Sequence, residues 1–257
     1  MAPCPWSNLE PATSRFCEDA LCGIVREPAN TWSNIGFVVA GFMIAWRGRG
    51  EAQSRLIRRF GLVCVFLGVG SAIFHATGTW VGGMLDSAGM QAAAAFMLAA
   101  NLRRLRPAAP LRVAERVAER NDARAFWLLA AGGVAAMSLF EELSRALHAL
   151  EMTLAGVLEL VVVRRAHLQR AHRWLALSWA TFLPAYAFWW LDLHRIACNP
   201  SAHVMNGHAA WHLLMAASLF FVHRFHAELA GAGPGFRSPR RGTRDGSASL
   251  ARARYRA

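Results

Sequence analysis

The chain has 257 residues, 55% of them hydrophobic and 17% charged. A soluble domain of ordinary composition carries about 25% charge, so a water-soluble globular protein is not the expectation. The net charge of +12 comes from Arg alone, because the chain has no Lys. The Arg residues lie in short stretches between apolar runs rather than on one basic face. That excludes a nucleic-acid-binding protein and fits a protein oriented in a membrane, with weak attraction to anionic headgroups as a side effect.

Residues 1–30 read as a polar, irregular extracytoplasmic segment, broken by Pro3, Pro5, Pro11 and Pro28. They hold no long apolar stretch, so no secretory signal is expected. Seven apolar runs follow, at about 31–46, 59–76, 83–102, 125–142, 147–163, 173–191 and 207–224, most of them near the roughly 18–20 residues that span a bilayer. The fifth is short and carries Glu159. Residues 107–123 have regularly spaced charge and predict a cytoplasmic helix or helix extension. Residues 227–257, basic and rich in Gly and Ser, read as a disordered tail. The expected fold is all-α, a seven-helix transmembrane bundle over residues 31–226.

The loops orient that bundle. Arg47 to Arg59, Arg103 to Arg124, Arg164 to Arg173 and Arg224 to Arg256 contribute twenty-four Arg on one side. The other side has only Arg15, Arg26, Arg145 and Arg195. Positive charge stays in the cytoplasm, so the N-terminus is expected outside and the C-terminus inside. Arg-only, Ala-rich usage suggests a GC-rich bacterial genome, hence a multi-pass protein of a bacterial inner membrane. The sequence sets no oligomeric state.

This orientation brings distant residues to one depth. Ser71 and His75 lie four apart near the outer end of the second run, on one helix face. Asp86 falls at the outer start of the third. His208 and His212, again four apart, begin the seventh. A lone His near a helix end is usually interfacial, so the argument rests on the set. Three neutral imidazoles with an open position describe a catalytic zinc site, and two on one helix with a third from another is how bundle-core metal sites are built. Zinc so held makes water reactive at neutral pH. Asp86 can then move a proton, and Ser71 can hydrogen-bond an oxyanion or the attacking water. His194, His203 and His148 are weaker outer-side candidates, whereas His167, His172, His223 and His226 fall on the cytoplasmic side. No Cys pair has C-x-x-C spacing, so a thiolate metal site is not indicated.

These residues resemble the alkaline ceramidases, within a superfamily of seven-helix hydrolases that includes the progestin and adiponectin receptors. The resemblance is carried by Phe16-Cys17-Glu18, by Glu27-Pro28-Ala29-Asn30-Thr31-Trp32-Ser33-Asn34, by Gly70-Ser71-Ala72-Ile73-Phe74-His75 followed by Asp86, and by His208-Ala209-Ala210-Trp211-His212. It extends over about residues 14–225. It implies zinc-dependent hydrolysis of the amide in ceramide or a related N-acyl lipid, giving fatty acid and sphingoid base. His75, His208 and His212 would be the zinc ligands. Ser71 and Asp86 would be the polar residues beside the metal, with Ser71 not a covalent nucleophile. The partner implied is a membrane lipid.

The resemblance also touches calcium. Glu18 and Glu27 match family ligand positions, but Arg15 stands where an aspartate is expected and Ala20 where an asparagine is. Asp19 is the residue available to compensate. Cys17 and Cys198 match a family disulfide, and Cys4 and Cys22 are left to pair or stay free. Two other functions fit parts of the pattern. One is a lipid receptor or sensor of the same architecture with little turnover. The other is a serine hydrolase using Ser71, His75 and Asp86, which leaves His208 and His212 without a role.

Overall fold

The computed structural model describes residues 3–47, 54–105, 112–139, 141–166 and 168–231. Among these residues the chain is all helical, with one isolated bridge between Pro11 and Thr79. A short helix α1 (Pro28–Ser33) leads into α2 (Ile35–Arg47), followed by α3 (Ser54–Thr77), α4 (Trp80–Leu105), α5 (Arg112–Leu139), α6 (Glu141–Ala166), α7 (Gln169–Leu193) and α8 (Gly207–Gly231).

Most of the expected runs are present, with three differences. The first run is two helices, because the backbone breaks at Asn34, whose side chain turns back to donate to the Asn30 carbonyl at 2.7 Å. The fifth is no short helix. α6 spans Glu141–Ala166, so the stretch around Arg145, where a loop was expected, is helical. Finally, α8 continues to Gly231, so residues 227–231 are helical rather than part of a disordered tail. The expectation for 232–257 falls outside the described residues. The expected helix extension over 107–123 is present from Arg112 onward as the start of α5.

Two segments, Arg58–Thr77 and Ala146–Arg165, are long and apolar enough to cross a membrane. The other long helices carry polar residues that the bundle buries, such as Gln91 and Asn101 on α4 and His208, His212, His223 and His226 on α8. Outward faces are apolar instead. Ile35, Val39, Phe42 and Trp46 on α2, and Leu62, Phe66, Val69 and Ile73 on α3, form exposed stripes at helical spacing.

The α3–α4 pair positions the site. A Cβ at Gly89 would lie 2.6 Å from the Leu67 Cα, and one at Gly70 would lie 2.8 Å from the Leu85 carbonyl oxygen. The two backbones therefore touch, which sets Ser71 beside Asp86. Gly78, at φ +61°, makes the turn between the helices, a conformation that costs glycine little. The N-terminal segment then covers the end of α3. Glu27 and Arg26 donate their backbone N–H groups to the carbonyls of His75 and Ala76 at 3.1 and 3.0 Å, acceptors that the helix itself leaves unpaired.

Candidate metal centre

His75 ends α3, and His208 and His212 open α8; all three are buried. Their ligand nitrogens all lie within 4.8 Å of one another. The Nε2 atoms of His75 and His208 are 3.2 Å apart. Among the described residues this is the one group of three or more His, Cys, Asp or Glu side chains placed to hold a metal ion.

The opposite ring nitrogens are held from behind. Nδ1 of His75 lies 2.6 Å from Glu27 Oε2. Nδ1 of His212 lies 2.7 Å from Ser33 Oγ, which donates in turn to the Asn30 carbonyl at 3.0 Å. Both partners are acceptors, so the ring protons belong on Nδ1 and the Nε2 lone pairs face the cluster. That is the tautomer a metal needs. Burial pushes the Glu27 carboxyl up, but the hydrogen bonds from His75 and Asn30, with Arg26 nearby, bring it below the usual carboxylate value. His208 is fixed differently. Its backbone N–H donates to Asp192 Oδ2 at 3.1 Å, and its ring lies against Phe16 with centroids 3.8 Å apart.

Local sequence explains this arrangement. Pro28 suits the first turn of α1, where its missing N–H is no loss. Glu27, the residue before it, makes no side-chain cap. Instead Glu18 accepts the N–H groups of Ala29 and Asn30, both at 3.0 Å. Glu18 thus caps α1 from a distance and frees Glu27 for His75.

Asp86 and Ser71 stand beside the imidazoles, with the Ser71 hydroxyl hydrogen-bonded to the Asp86 carboxyl. Because α4 starts at Trp80, Asp86 sits in the second turn rather than the first. Ser71, Asp86, His208 and His212 face a cavity with an empty volume of about 520 Å³, part of it open to the outside. The rest of its wall is largely apolar, with Phe37, Met90, Trp189, Trp211 and Met215. Such a chamber suits a ligand with one polar group and a long hydrocarbon portion.

The ceramidase family model matches residues 10–230, which contain every residue of this centre. The chain belongs to the ceramidase family. Comparison with individually curated proteins finds no match. Ceramidases are hydrolases of an amide bond, with ceramide as substrate, and the buried imidazole cluster is consistent with a metal-dependent ceramidase.

The structure brings together all five residues expected at the metal. The carboxylates considered for calcium are not gathered in the same way. Glu18 is engaged by α1, by His203 Nδ1 at 2.9 Å and by Asn206 Nδ2 at 3.3 Å. Glu27 is turned to His75, and Asp19 is exposed. These three do not form a ligand cluster among the described residues. Both bridges exist. Cys17 pairs with Cys198 and Cys4 with Cys22, leaving Cys64 free and buried.

Sequence reasoning gave no role to Ser33 or Phe16. Asp192 is buried and also accepts the Cys17 N–H at 2.9 Å. One carboxylate thus ties the N-terminal segment to the helix bearing two of the imidazoles. His148, ranked low, lines the ceramidase cavity from α6.

Proposed function

We propose that this protein is a zinc-dependent amidase that cleaves the N-acyl bond of ceramide or a related N-acyl lipid within the membrane. The observation that carries the reading is the three-imidazole cluster with Ser71 and Asp86 beside it, opening onto an apolar cavity. His75, His208 and His212 would hold the ion. Three neutral nitrogen donors are a usual zinc set, and the acceptors behind His75 and His212 fit that role. The ion would supply Lewis acidity at the scissile carbonyl.

The chain's own residues do the rest. Asp86 accepts a proton from the attacking water and returns it to the departing nitrogen. Ser71, bonded to Asp86, turns its hydroxyl toward the amide oxygen as charge gathers there. The apolar wall holds the acyl chain and excludes bulk water from the amide. The products are a fatty acid and a free amine.

The setting belongs to the same proposal. Seven spans, an outer N-terminus and a cytoplasmic C-terminus follow from the Arg distribution. Exposed apolar stripes around buried polar residues support a lipid exterior. A bacterial inner membrane is the location these features favour.

The test is a product assay. Purified protein is given N-acyl sphingosines, and fatty acid and long-chain base are quantified before chelation, after chelation and after zinc is restored. Turnover should vanish on stripping and return with zinc. Undiminished turnover by metal-free protein would end the proposal. Bound fatty acid without turnover of any N-acyl lipid would favour the receptor reading instead.

A further inference from the structure

Next to the metal-centre cavity lies a second one, with an empty volume of about 390 Å³. Met152 and Met215 line both, so flexible thioether side chains stand at the boundary. The second cavity is apolar except for Glu159, Ser178 and Ser218. The two serines satisfy each other. Their hydroxyls lie 3.0 Å apart, and Ser218 Oγ donates to the Ser178 carbonyl at 3.1 Å. Glu159 is different. The Asn101 amide nearby donates to the Ala155 carbonyl at 3.2 Å, and Glu159 Oε1 has no partner although the residue is only 4% exposed. Buried polar atoms are nearly always paired, so an unpaired one calls for an explanation.

We propose that Glu159 selects the substrate by receiving a hydroxyl group carried well down its acyl chain. This rests on the amidase reading above and deepens it. The scissile amide must sit at the level of His212. Ser218, which shares the second cavity with Glu159, lies six residues further along α8, about 9 Å at the helical rise. A group reaching Glu159 is therefore in mid-chain, not beside the carbonyl. A plain alkyl chain fills the apolar wall but leaves Oε1 unpaired. A mid-chain hydroxyl brings both a donor and an acceptor to the one polar atom of the cavity that lacks a partner.

The experiment compares N-acyl sphingosines with a plain stearoyl chain, a stearoyl chain hydroxylated in mid-chain, and one hydroxylated next to the amide carbonyl. A fourth substrate carries the extra hydroxyl in mid-chain of the long-chain base. Wild-type protein should favour the mid-chain hydroxyacyl substrate by about tenfold or more in kcat/KM. The other two hydroxylated substrates should gain nothing. Glu159→Leu should abolish the preference, and Glu159→Gln, which keeps hydrogen-bonding capacity, should retain part of it.

Wild-type protein that treats the acyl chains alike, a Glu159→Leu variant that keeps the preference, or an equal preference for the hydroxylated base overturns the proposal. Binding of free stearic acid and of mid-chain hydroxystearic acid, read by thermal shift of the purified protein, tests the cavity without turnover. Tighter binding of the hydroxy acid that depends on Glu159, in a protein that hydrolyses no N-acyl lipid, would sink the amidase reading and leave this one standing. Equal binding of the two acids, with turnover intact, would do the reverse.

Discussion

The two ends of α8 each present a pair of buried histidines, in unlike company. At the start of the helix, His208 and His212 meet His75, and Nδ1 of both His75 and His212 faces an acceptor. At the far end, Arg104 Nε donates to Nδ1 of His226 at 3.2 Å, and its Nη2 donates to the His226 carbonyl at 2.8 Å. A neutral imidazole that accepts at Nδ1 carries its proton on Nε2. His226 therefore offers no free lone pair, and a guanidinium stands where a cation would have to bind. Burial and residue type are the same at both ends. For His75 and His212 against His226, the group on Nδ1 decides which imidazole can be a ligand.

The sharpest way to break this contrast is to remove one imidazole from each end. His212→Ala should lose its bound metal, and turnover should fall on the order of 10³-fold or more. His226→Ala should keep full metal content. Metal analysis of the purified variants beside the product assay reads both, and metal loss in His226→Ala alone would reverse the assignment. The next effect is on stability. Only the His208 end is clamped by the Cys17–Cys198 bridge, and replacing both cysteines by Ser should cost about 2–4 kcal/mol, seen as a lower Tm in detergent.

Smaller changes probe the acceptors. Glu27→Ala leaves His75 without its partner and should weaken metal affinity about 10–100-fold, measured by competition with a chelator. Unchanged affinity would mean that the second ring nitrogen is not what distinguishes the two ends. Ser33→Ala should give the smallest shift, about 1 kcal/mol, because the Asn30 carbonyl lies just beyond the hydroxyl and can partly replace it.

The imidazole cluster was legible because the order of helix ends along a chain is a one-dimensional problem. Arg counts and run lengths fix which helix ends share a depth, and His75, Asp86, His208 and His212 needed nothing more. Their supports obey no such rule. Ser33 reaches His212 across 179 residues, and Asp192 reaches Cys17 across 175. These contacts depend on how α1 lies against α8 and the N-terminal segment against the end of α7, which periodicity does not encode. The α5–α6 junction was misread for a different reason. The stretch around Arg145 between two apolar runs resembled a loop, but it is helical.

The bridge and the Asp192 contacts also set an order of assembly. The chain leaves the ribosome from its N-terminus, yet the first segment binds Asp192, Cys198, His203 and Asn206, all of them made late. Its earliest residues must wait until α7 and α8 have been made. The metal centre is therefore among the last parts to close, and a ribosome that stops before α8 leaves behind a chain with no route to activity.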